Sequence, residues 1–225
     1  MNKASKKSIG WCDMTLNPIK GKCQGGCWYC WTNGFRQRGF LSNEIKLKTV
    51  VFNNLPKKPK KIFLCSTHDL FGSWIPKRWR DAIFLDIEEC YPQHTFQILT
   101  KFPQNIDRPM PDNVWLGVTI TLSVYAWRLS FLKKAEANIK FVSVEPMLGE
   151  VGYGFLWFYE VPMIEKIDWA IIGKLTQYGH KYDPRKQTIK WYVEKAKEYN
   201  IPIFLKNNLK EIWGEPLIQE FPAIG

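Results

Sequence analysis

Short apolar segments recur along this chain of 225 residues, and their spacing restricts the folds that the chain can adopt. Seven such segments, each five to seven residues long, are typical of buried strands. Stretches with the apolar spacing of helices lie between several of them, at residues 31–39, 76–91, 123–137 and 188–199. The predicted strands are residues 11–17, 62–66, 95–100, 114–120, 140–145, 168–173 and 202–206.

This alternation predicts the fold class. Strands that are apolar along nearly their whole length are typical of a parallel sheet covered by helices. The number and order of the segments predict an α/β fold, a partial (β/α), TIM-like barrel, in a single domain over residues 1–225. One aromatic-rich segment, at about residues 149–165, is longer than an ordinary strand-to-helix connection. It would cap a site, form an interface or fill space in the packing.

Three cysteines lie close together after the first predicted strand. Cys23, Cys27 and Cys30 have the spacing C-x3-C-x2-C, and two glycines between the first pair let the backbone turn tightly. Three thiolates can bind three irons of a 4Fe-4S cluster and leave the fourth iron open for a small chelating molecule. With Cys12 as a fourth ligand they could instead bind zinc, although the usual second C-x2-C pair is missing. Structural or redox-active thiols are a further alternative.

The location of the protein bears on these cysteines. No apolar run follows residues 1–8, and the longest apolar stretch, residues 151–164, is too short to span a bilayer and contains Glu160. We therefore expect a cytoplasmic protein without membrane contact. Cysteines stay reduced in that compartment, which favours metal ligation over disulfides.

The net charge of the chain bears on its partners. Its formal value is +11 at pH 7, which favours binding to polyanions such as nucleic acid or to acidic partner proteins. Lysines that only make the surface soluble would give the same excess.

Polar residues follow the predicted strands where each strand ends. In barrels of this kind the carboxyl ends of the strands meet on one face, and the cysteine loop follows the first strand onto that face. The candidate site residues at or just after the other strand ends are Ser66, Asp69, Lys101, Thr119, Glu145 and Lys206.

The cysteine spacing, with Tyr29 just before the last cysteine, resembles that of the radical S-adenosylmethionine (SAM) superfamily. In that superfamily the open iron chelates the amino and carboxylate groups of SAM, and an aromatic residue lies near the adenine. The resemblance implies a 4Fe-4S cluster on Cys23, Cys27 and Cys30, and SAM as cofactor. Tyr29 would then contact the adenine.

The resemblance extends beyond the cysteines. Residues 56–63, 92–101, 115–118 and 143–149 are similar to a family of radical-SAM-like phage proteins of unknown function, and the likeness covers most of residues 11–208. That family is similar in cluster motif and barrel to spore photoproduct lyase, a DNA-repair enzyme. Two segments depart from the family pattern. Residues 173–177 read Gly-Lys-Leu-Thr-Gln where the family has Gly-Gly-Glu-Ser-Gly, and Lys206 is followed by Asn207 rather than glutamine.

Roles follow as hypotheses. Asp69 would accept hydrogen bonds from the SAM ammonium, or would only cap a turn. Lys101 would pair with the SAM carboxylate, and Ser66 would bond the ribose or the carboxylate. Glu145 would hold ribose hydroxyls or a substrate, or form a structural ion pair with Lys174 or Lys206. Thr119 is a further cofactor-binding candidate, and Glu145 and Lys206 are the candidate catalytic residues.

These inferences predict a radical SAM enzyme that cleaves SAM to a 5′-deoxyadenosyl radical acting on an unidentified substrate. Charge favours a nucleic acid or nucleotide as that substrate, and the reaction needs an electron donor. Two alternatives stay open. One is radical modification of a peptide or partner protein, and the other is a non-catalytic, zinc-stabilised nucleic-acid-binding protein.

Overall fold

The fold is built on one large sheet. The structure, a computed structural model, describes residues 2–3, 9–148 and 167–223. Within these residues an eight-stranded sheet is accompanied by a two-stranded ribbon. The strands are β1 (Asn2–Lys3), β2 (Met14–Leu16), β3 (Ile19–Lys20), β4 (Lys46–Leu47), β5 (Lys61–Leu64), β6 (Thr95–Thr100), β7 (Val114–Thr119), β8 (Ile139–Val144), β9 (Trp169–Ile172) and β10 (Ile203–Leu205).

The strand order of the large sheet is β1-β2-β5-β6-β7-β8-β9-β10. From β2 onward seven strands run parallel, and each pairs with the next strand of the sheet along the chain. Among the described strands of this large sheet, only β1 is antiparallel to its neighbour. The sheet curls into a half-barrel, so the predicted α/β partial barrel is confirmed. Each of the seven predicted strands overlaps one of the parallel strands.

Helices cover one face of this sheet. The buried apolar side chains of α2 (Lys77–Leu85), α3 (Arg128–Lys134) and α4 (Lys186–Glu198) belong to the same apolar cluster as the outward-facing residues of the strands. The predicted helix over residues 123–137 is shorter than expected, because a short 3₁₀ turn at Ser123–Tyr125 precedes α3. The helices are α1 (Asn33–Gln37), α2 (Lys77–Leu85), α3 (Arg128–Lys134), α4 (Lys186–Glu198) and α5 (Lys210–Trp213).

The alternation of side chains along the strands builds two separate cores. In β7 all six residues are buried, and successive side chains point to opposite faces. Leu116 and Val118 join the cluster under the helices, whereas Trp115 points to the concave face. A strand buried on both faces reads as a continuous apolar run, which is why the sequence pattern was informative.

Large aromatic rings fill one end of the concave face. Trp169 lies at the centre of this aromatic floor, with ring centroids 5.8 Å from Trp115, 5.4 Å from Phe141 and 6.2 Å from Phe204. Gly117 makes room for the floor, because a Cβ there would lie 2.5 Å from the ring of Phe141. The floor accounts for several of the chain's many tryptophans and leaves the carboxyl ends of the strands open.

Two sequence expectations concern other regions. The aromatic-rich insertion at about residues 149–165 lies outside the described residues, so its role stays a prediction. Among the helices that are described, none has both the length and the apolar character needed to cross a bilayer.

Candidate functional site

A cavity of about 600 Å³ opens at the carboxyl ends of the parallel strands. This volume is within the usual range for small-molecule sites, roughly 300–1,000 Å³. Trp11, Phe63 and Leu99 form its apolar base. All ten candidate site residues line it, namely Cys23, Cys27, Tyr29, Cys30, Ser66, Asp69, Lys101, Thr119, Glu145 and Lys206. The fold therefore brings the candidates together, while their individual roles stay predictions.

Helix α1 holds the backbone of the cysteine loop. The Asn33 side-chain amide donates hydrogen bonds to the carbonyls of Cys27 (3.2 Å) and Trp28 (2.8 Å). Arg36 donates to the carbonyl of Cys23 at 2.6 Å. Gly26 has a φ of +66°, a conformation that favours glycine. The loop is thus fixed by its own turn chemistry and by the helix that follows it.

The three cysteines are free and partly buried, and each lines the cavity. Burial raises the pKa of Cys23, and hydrogen bonds from the backbone N–H groups of Gly25 and Asp69 act in the opposite direction. The Sγ of Cys30 lies 3.0 Å from the hydroxyl oxygen of Thr32. These are the donors that a cluster with one open iron requires.

A single-ion site has a different geometry. Zinc needs its sulfur ligands about 2.3 Å from one centre. No group of three His, Cys, Asp or Glu side chains converges in that way among the described residues. Cluster thiolates, in contrast, each bind a separate iron. Cys12, the fourth ligand in the zinc alternative, lies in the aromatic floor, where burial raises its pKa to about 12. The described residues contain no such preformed group for any metal ion, so the cluster and the zinc ion both stay predictions.

Asp69 is buried in the cavity wall and joins two strand ends. Its carboxylate accepts hydrogen bonds from the Thr100 hydroxyl (2.6 Å), the backbone N–H of Lys101 (2.7 Å) and that of Phe71 (3.2 Å). Burial raises its pKa, and the bond from Thr100 partly offsets this effect. These contacts match the turn-capping alternative. Because a carboxylate has about four acceptor positions, one is left for a ligand.

Glu145 and Lys206 form an ion pair between the ends of β8 and β10. This identifies Lys206, not Lys174, as the partner in the ion-pair alternative. Gly173, at the end of the intervening β9, lies beneath the pair. A Cβ there would be 3.0 Å from the Cδ atoms of both side chains, so the absence of a side chain lets the pair close over β9.

Lys174 has a different partner. Its ammonium lies 2.9 Å from the carboxylate of Asp183, which also lies 2.8 Å from Nδ1 of His180. Burial alone would raise the pKa of Asp183, but the hydrogen bonds from Lys174 and His180 hold it below its ordinary value. The backbone of Lys174 is tied to the side chain of Asn208 by two hydrogen bonds. The segment that departs from the family pattern is therefore firmly anchored beside the cavity.

Tyr29 lies within the cysteine loop, and Ser66 follows β5; both line the cavity. Tyr29 lines the cavity, and its burial raises the pKa of the phenol. Its ring meets that of Trp28 edge to face, with centroids 5.5 Å apart. The hydroxyl of Ser66 donates to the side-chain oxygen of Asn17 at 3.2 Å, and that oxygen also accepts from the N–H of Thr67.

The structure adds residues that the sequence reasoning missed. Thr15 and Ser143 line the cavity from β2 and β8. The alternation of faces along each strand was the signal that could have found them. Cys65 lines the wall in a left-handed conformation with φ +58°. His68 is buried in the wall, its Nε2 has no partner among the described residues, and burial lowers its pKa to about 4.

Comparisons with known proteins agree with this architecture. The model of a family described as "Protein of unknown function (DUF5131)" matches residues 6–216. A search of curated proteins finds no match. Among solved structures, the chain is similar to a mutant spore photoproduct lyase with bound AdoMet and dinucleoside spore photoproduct. The TM-score is 0.63 at 11% identity, over 89% of this chain and 78% of the other.

A second structure of that enzyme, complexed with dinucleoside spore photoproduct, has a TM-score of 0.57 at 13% identity. This likeness covers 84% of this chain and 75% of the other. At these identities the likeness establishes the shared fold.

Proposed function

The chain belongs to the DUF5131 family of proteins of unknown function, and we propose that it is a radical SAM-type enzyme acting on a substrate still to be identified. A 4Fe-4S cluster bound by Cys23, Cys27 and Cys30 would supply one electron to cleave SAM to methionine and a 5′-deoxyadenosyl radical. The observation that carries the proposal is that these three thiols and the polar strand ends line one cavity. The similarity in fold to an enzyme that binds AdoMet supports SAM as the cofactor.

The residues of the wall suit a molecule with an ammonium, a carboxylate and an adenine. Asp69 has an acceptor position left for the ammonium, and Lys101 carries a cation for the carboxylate. Tyr29 offers an aromatic ring for the adenine, and Ser66 and Thr119 offer hydroxyl groups. The aromatic floor keeps water from the lower end of the cavity, as reactive intermediates require.

The ion pair of Glu145 and Lys206 lines the same cavity at the ends of β8 and β10. Neither of its members is needed to hold the cofactor through the cysteines. We assign the pair to the substrate side, where the two charges would orient polar substrate groups. An electron donor completes the proposed reaction, and the charge of +11 favours a nucleic acid or nucleotide substrate.

Anaerobic reconstitution tests the proposal directly. The protein is supplied with iron and sulfide, its iron content is measured, and SAM and dithionite are added to assay 5′-deoxyadenosine. We expect Cys27→Ser to lose both iron and 5′-deoxyadenosine formation. Cys90→Ser is the matched control, because Cys90 is exposed and remote from the cavity lining.

The outcomes separate the alternatives. Formation of 5′-deoxyadenosine by wild type and Cys90→Ser, but not by Cys27→Ser, supports the enzyme. Bound zinc without iron in anaerobically purified protein would instead support the non-catalytic, zinc-stabilised alternative. Hydrogen abstraction from a peptide rather than from a nucleotide would favour modification of a partner protein.

A further inference from the structure

Exposed aromatic rings are concentrated around the mouth of the cavity. Seven aromatic side chains are exposed among the described residues, and five of them belong to the cysteine loop, to the helix after it, or to the loop after β9. Trp28 is 48% exposed and Trp31 is 50% exposed. We call this surface the rim, and it comprises Trp28, Trp31, Phe35, Phe40, Tyr178 and Tyr182.

One half of the rim joins the cysteine loop to the loop after β9. The ring centroids of Tyr178 and Tyr182 each lie 5.3 Å from that of Trp28. The hydroxyl of Tyr178 donates a hydrogen bond to the carbonyl of Trp28 at 3.1 Å. The ammonium of Lys181 lies 5.2 Å from the ring centroid of Tyr182. This half is a preformed group of three rings with a cation beside it.

The other half begins inside the cavity wall. Trp31 lines the cavity, and its ring meets that of Phe35 edge to face at 5.8 Å. The guanidinium of Arg38 lies 5.6 Å from the centroid of Phe35 and 5.9 Å from that of Phe40. Trp28 lies within the cysteine loop and Trp31 lines the cavity, so a ligand lying along the rim would pass beside the mouth.

The rim is also basic. Residues 14–43 contain no Asp or Glu and include Lys20, Lys22, Arg36 and Arg38. In the loop after β9, the carboxylate of Asp183 is already paired with Lys174 and His180. The positive charge of the rim is therefore not cancelled by carboxylates of these two segments.

We infer that the rim binds an unpaired stretch of nucleic acid. Proteins that bind single strands combine basic side chains, which follow the phosphates, with aromatic rings on which bases stack. Trp28 and Trp31 would each stack a base on one side of the mouth, and Arg38 and Lys181 would contact phosphates. A base between them would lie over the cavity, as chemistry on a base requires it to leave the helical stack.

An acidic protein would match the charge of the rim but would leave its rings without partners that stack. We therefore choose the nucleic acid as the occupant. The inference deepens the proposed function by naming the substrate class. It also stands on contacts that involve neither the cysteines nor the cofactor.

Fluorescence anisotropy with the full-length protein tests the inference. The probe is a fluorescein-labelled oligothymidylate of about 12 nucleotides, within the span that single-strand sites commonly cover. We expect salt-sensitive binding of this probe that is tighter than binding of a duplex of the same length. The double variant Trp28→Ala/Trp31→Ala removes two stacking rings and should bind the single strand at least about 25-fold more weakly.

Phe131→Ala is the matched control. Phe131 is also an exposed aromatic residue with a lysine ammonium nearby, at 5.9 Å, but it lies on α3, away from the rim. We expect it to bind the probe like the wild type. Equal binding by the wild type and the double tryptophan variant would overturn the inference. So would wild-type binding to polyglutamate that matches its binding to the oligothymidylate.

A second measurement needs no variant that could fail to fold. A probe carrying 5-iododeoxyuridine is irradiated in complex with the wild-type protein, and crosslinked peptides are identified by mass spectrometry. Crosslinks within residues 24–40 or 176–185 support the inference, and crosslinks found only elsewhere overturn it. Both assays run without SAM and without turnover. If the rim binds the probe but no 5′-deoxyadenosine forms, only the proposed function is refuted. If 5′-deoxyadenosine forms but the rim does not bind the probe, only this inference is refuted.

Discussion

Glu145 and Lys206, which are 61 positions apart in the chain, form an ion pair that bridges the ends of two strands over the glycine of a third. Both side chains are largely buried at the wall of the cavity, so each charge depends on the other for compensation. The ion pair links the geometry of the site to the stability of the sheet. Its role can be tested by removing its members and by crowding it from Gly173.

Breaking this pair should destabilise the fold. Lys206→Met leaves the Glu145 carboxylate buried without its partner, and we expect a loss of about 1–3 kcal/mol in the free energy of unfolding. The double variant Glu145→Met/Lys206→Met should lose less than Lys206→Met alone, because no unpaired charge remains. Urea unfolding of the single and double variants measures the coupling. Additive losses would show that the pair contributes no interaction energy.

Gly173→Ala should disturb the same pair by crowding it. The new Cβ would lie 3.0 Å from Cδ of both side chains, and we expect a loss of about 1–2 kcal/mol. Gly34→Ala is the control, since its Cβ meets only the Arg38 side chain, at 3.6 Å, within a helix. There alanine should stabilise the protein by about 0.5–1 kcal/mol. Thermal unfolding compares the two variants. If Gly173→Ala and Gly34→Ala shift the unfolding temperature in the same direction, crowding of the ion pair does not explain the effect at Gly173.

Asp69→Asn tests whether this carboxylate binds the ammonium of SAM. We expect anaerobically reconstituted protein to keep its iron content but to bind SAM more weakly, as measured by equilibrium dialysis. Thr100→Val is the matched control. It removes the 2.6 Å hydrogen bond to Asp69 without changing a residue of the cavity lining, so SAM binding should persist. Unchanged affinity in Asp69→Asn would leave that carboxylate a purely structural role.

His68 should make the stability of the fold depend on pH. Burial lowers its pKa from about 6.5 to about 4, so the unfolded chain binds a proton more readily than the folded protein between these values. Above pH 6.5 His68 is neutral in both states and costs the folded protein nothing. As the pH falls from 6.5 toward 4, the free energy of unfolding decreases, because only the unfolded chain gains the proton. At 1.36 kcal/mol per pKa unit this decrease amounts to at most about 3 kcal/mol.

The measurement is urea unfolding at pH 7 and pH 5. His68→Gln should lose less stability than the wild type over this interval. His180→Gln is the control, because His180 is exposed and lies outside the cavity wall. If His68→Gln and the wild type lose the same amount, the pH dependence comes from other groups.

Gly117→Ala should be strongly destabilising, because a Cβ would lie 2.5 Å from the rigid ring of Phe141. We expect a loss of about 1–3 kcal/mol, the usual cost of overpacking a core. Adding Phe141→Leu should recover part of that loss in chemical unfolding. A double variant less stable than the sum of both changes would argue against a direct clash.

The strands could be predicted from the sequence because strands buried on both faces must be apolar throughout. The position of the site could be predicted because the carboxyl ends of parallel strands lie at the same edge of the sheet. That reasoning found the cysteine loop and Lys101 at one edge of the sheet. It did not find the role of Gly173, because nothing local shows that two distant charges meet above it. It also could not decide whether Asp69 caps a turn or binds a ligand in the cavity, because an aspartate suits both roles. The two-residue strands of the β3–β4 ribbon are too short to leave a periodic pattern.

The packed rings around Trp169 also affect the order of events. They pack at the base of the half-barrel, so in the described part of the chain the proposed SAM and the proposed nucleic acid would enter by the same opening. A nucleic acid bound across that opening would prevent SAM already bound in the cavity from leaving. If both ligands bind as proposed, SAM would have to bind before the nucleic acid, and the fragments of SAM would leave after it.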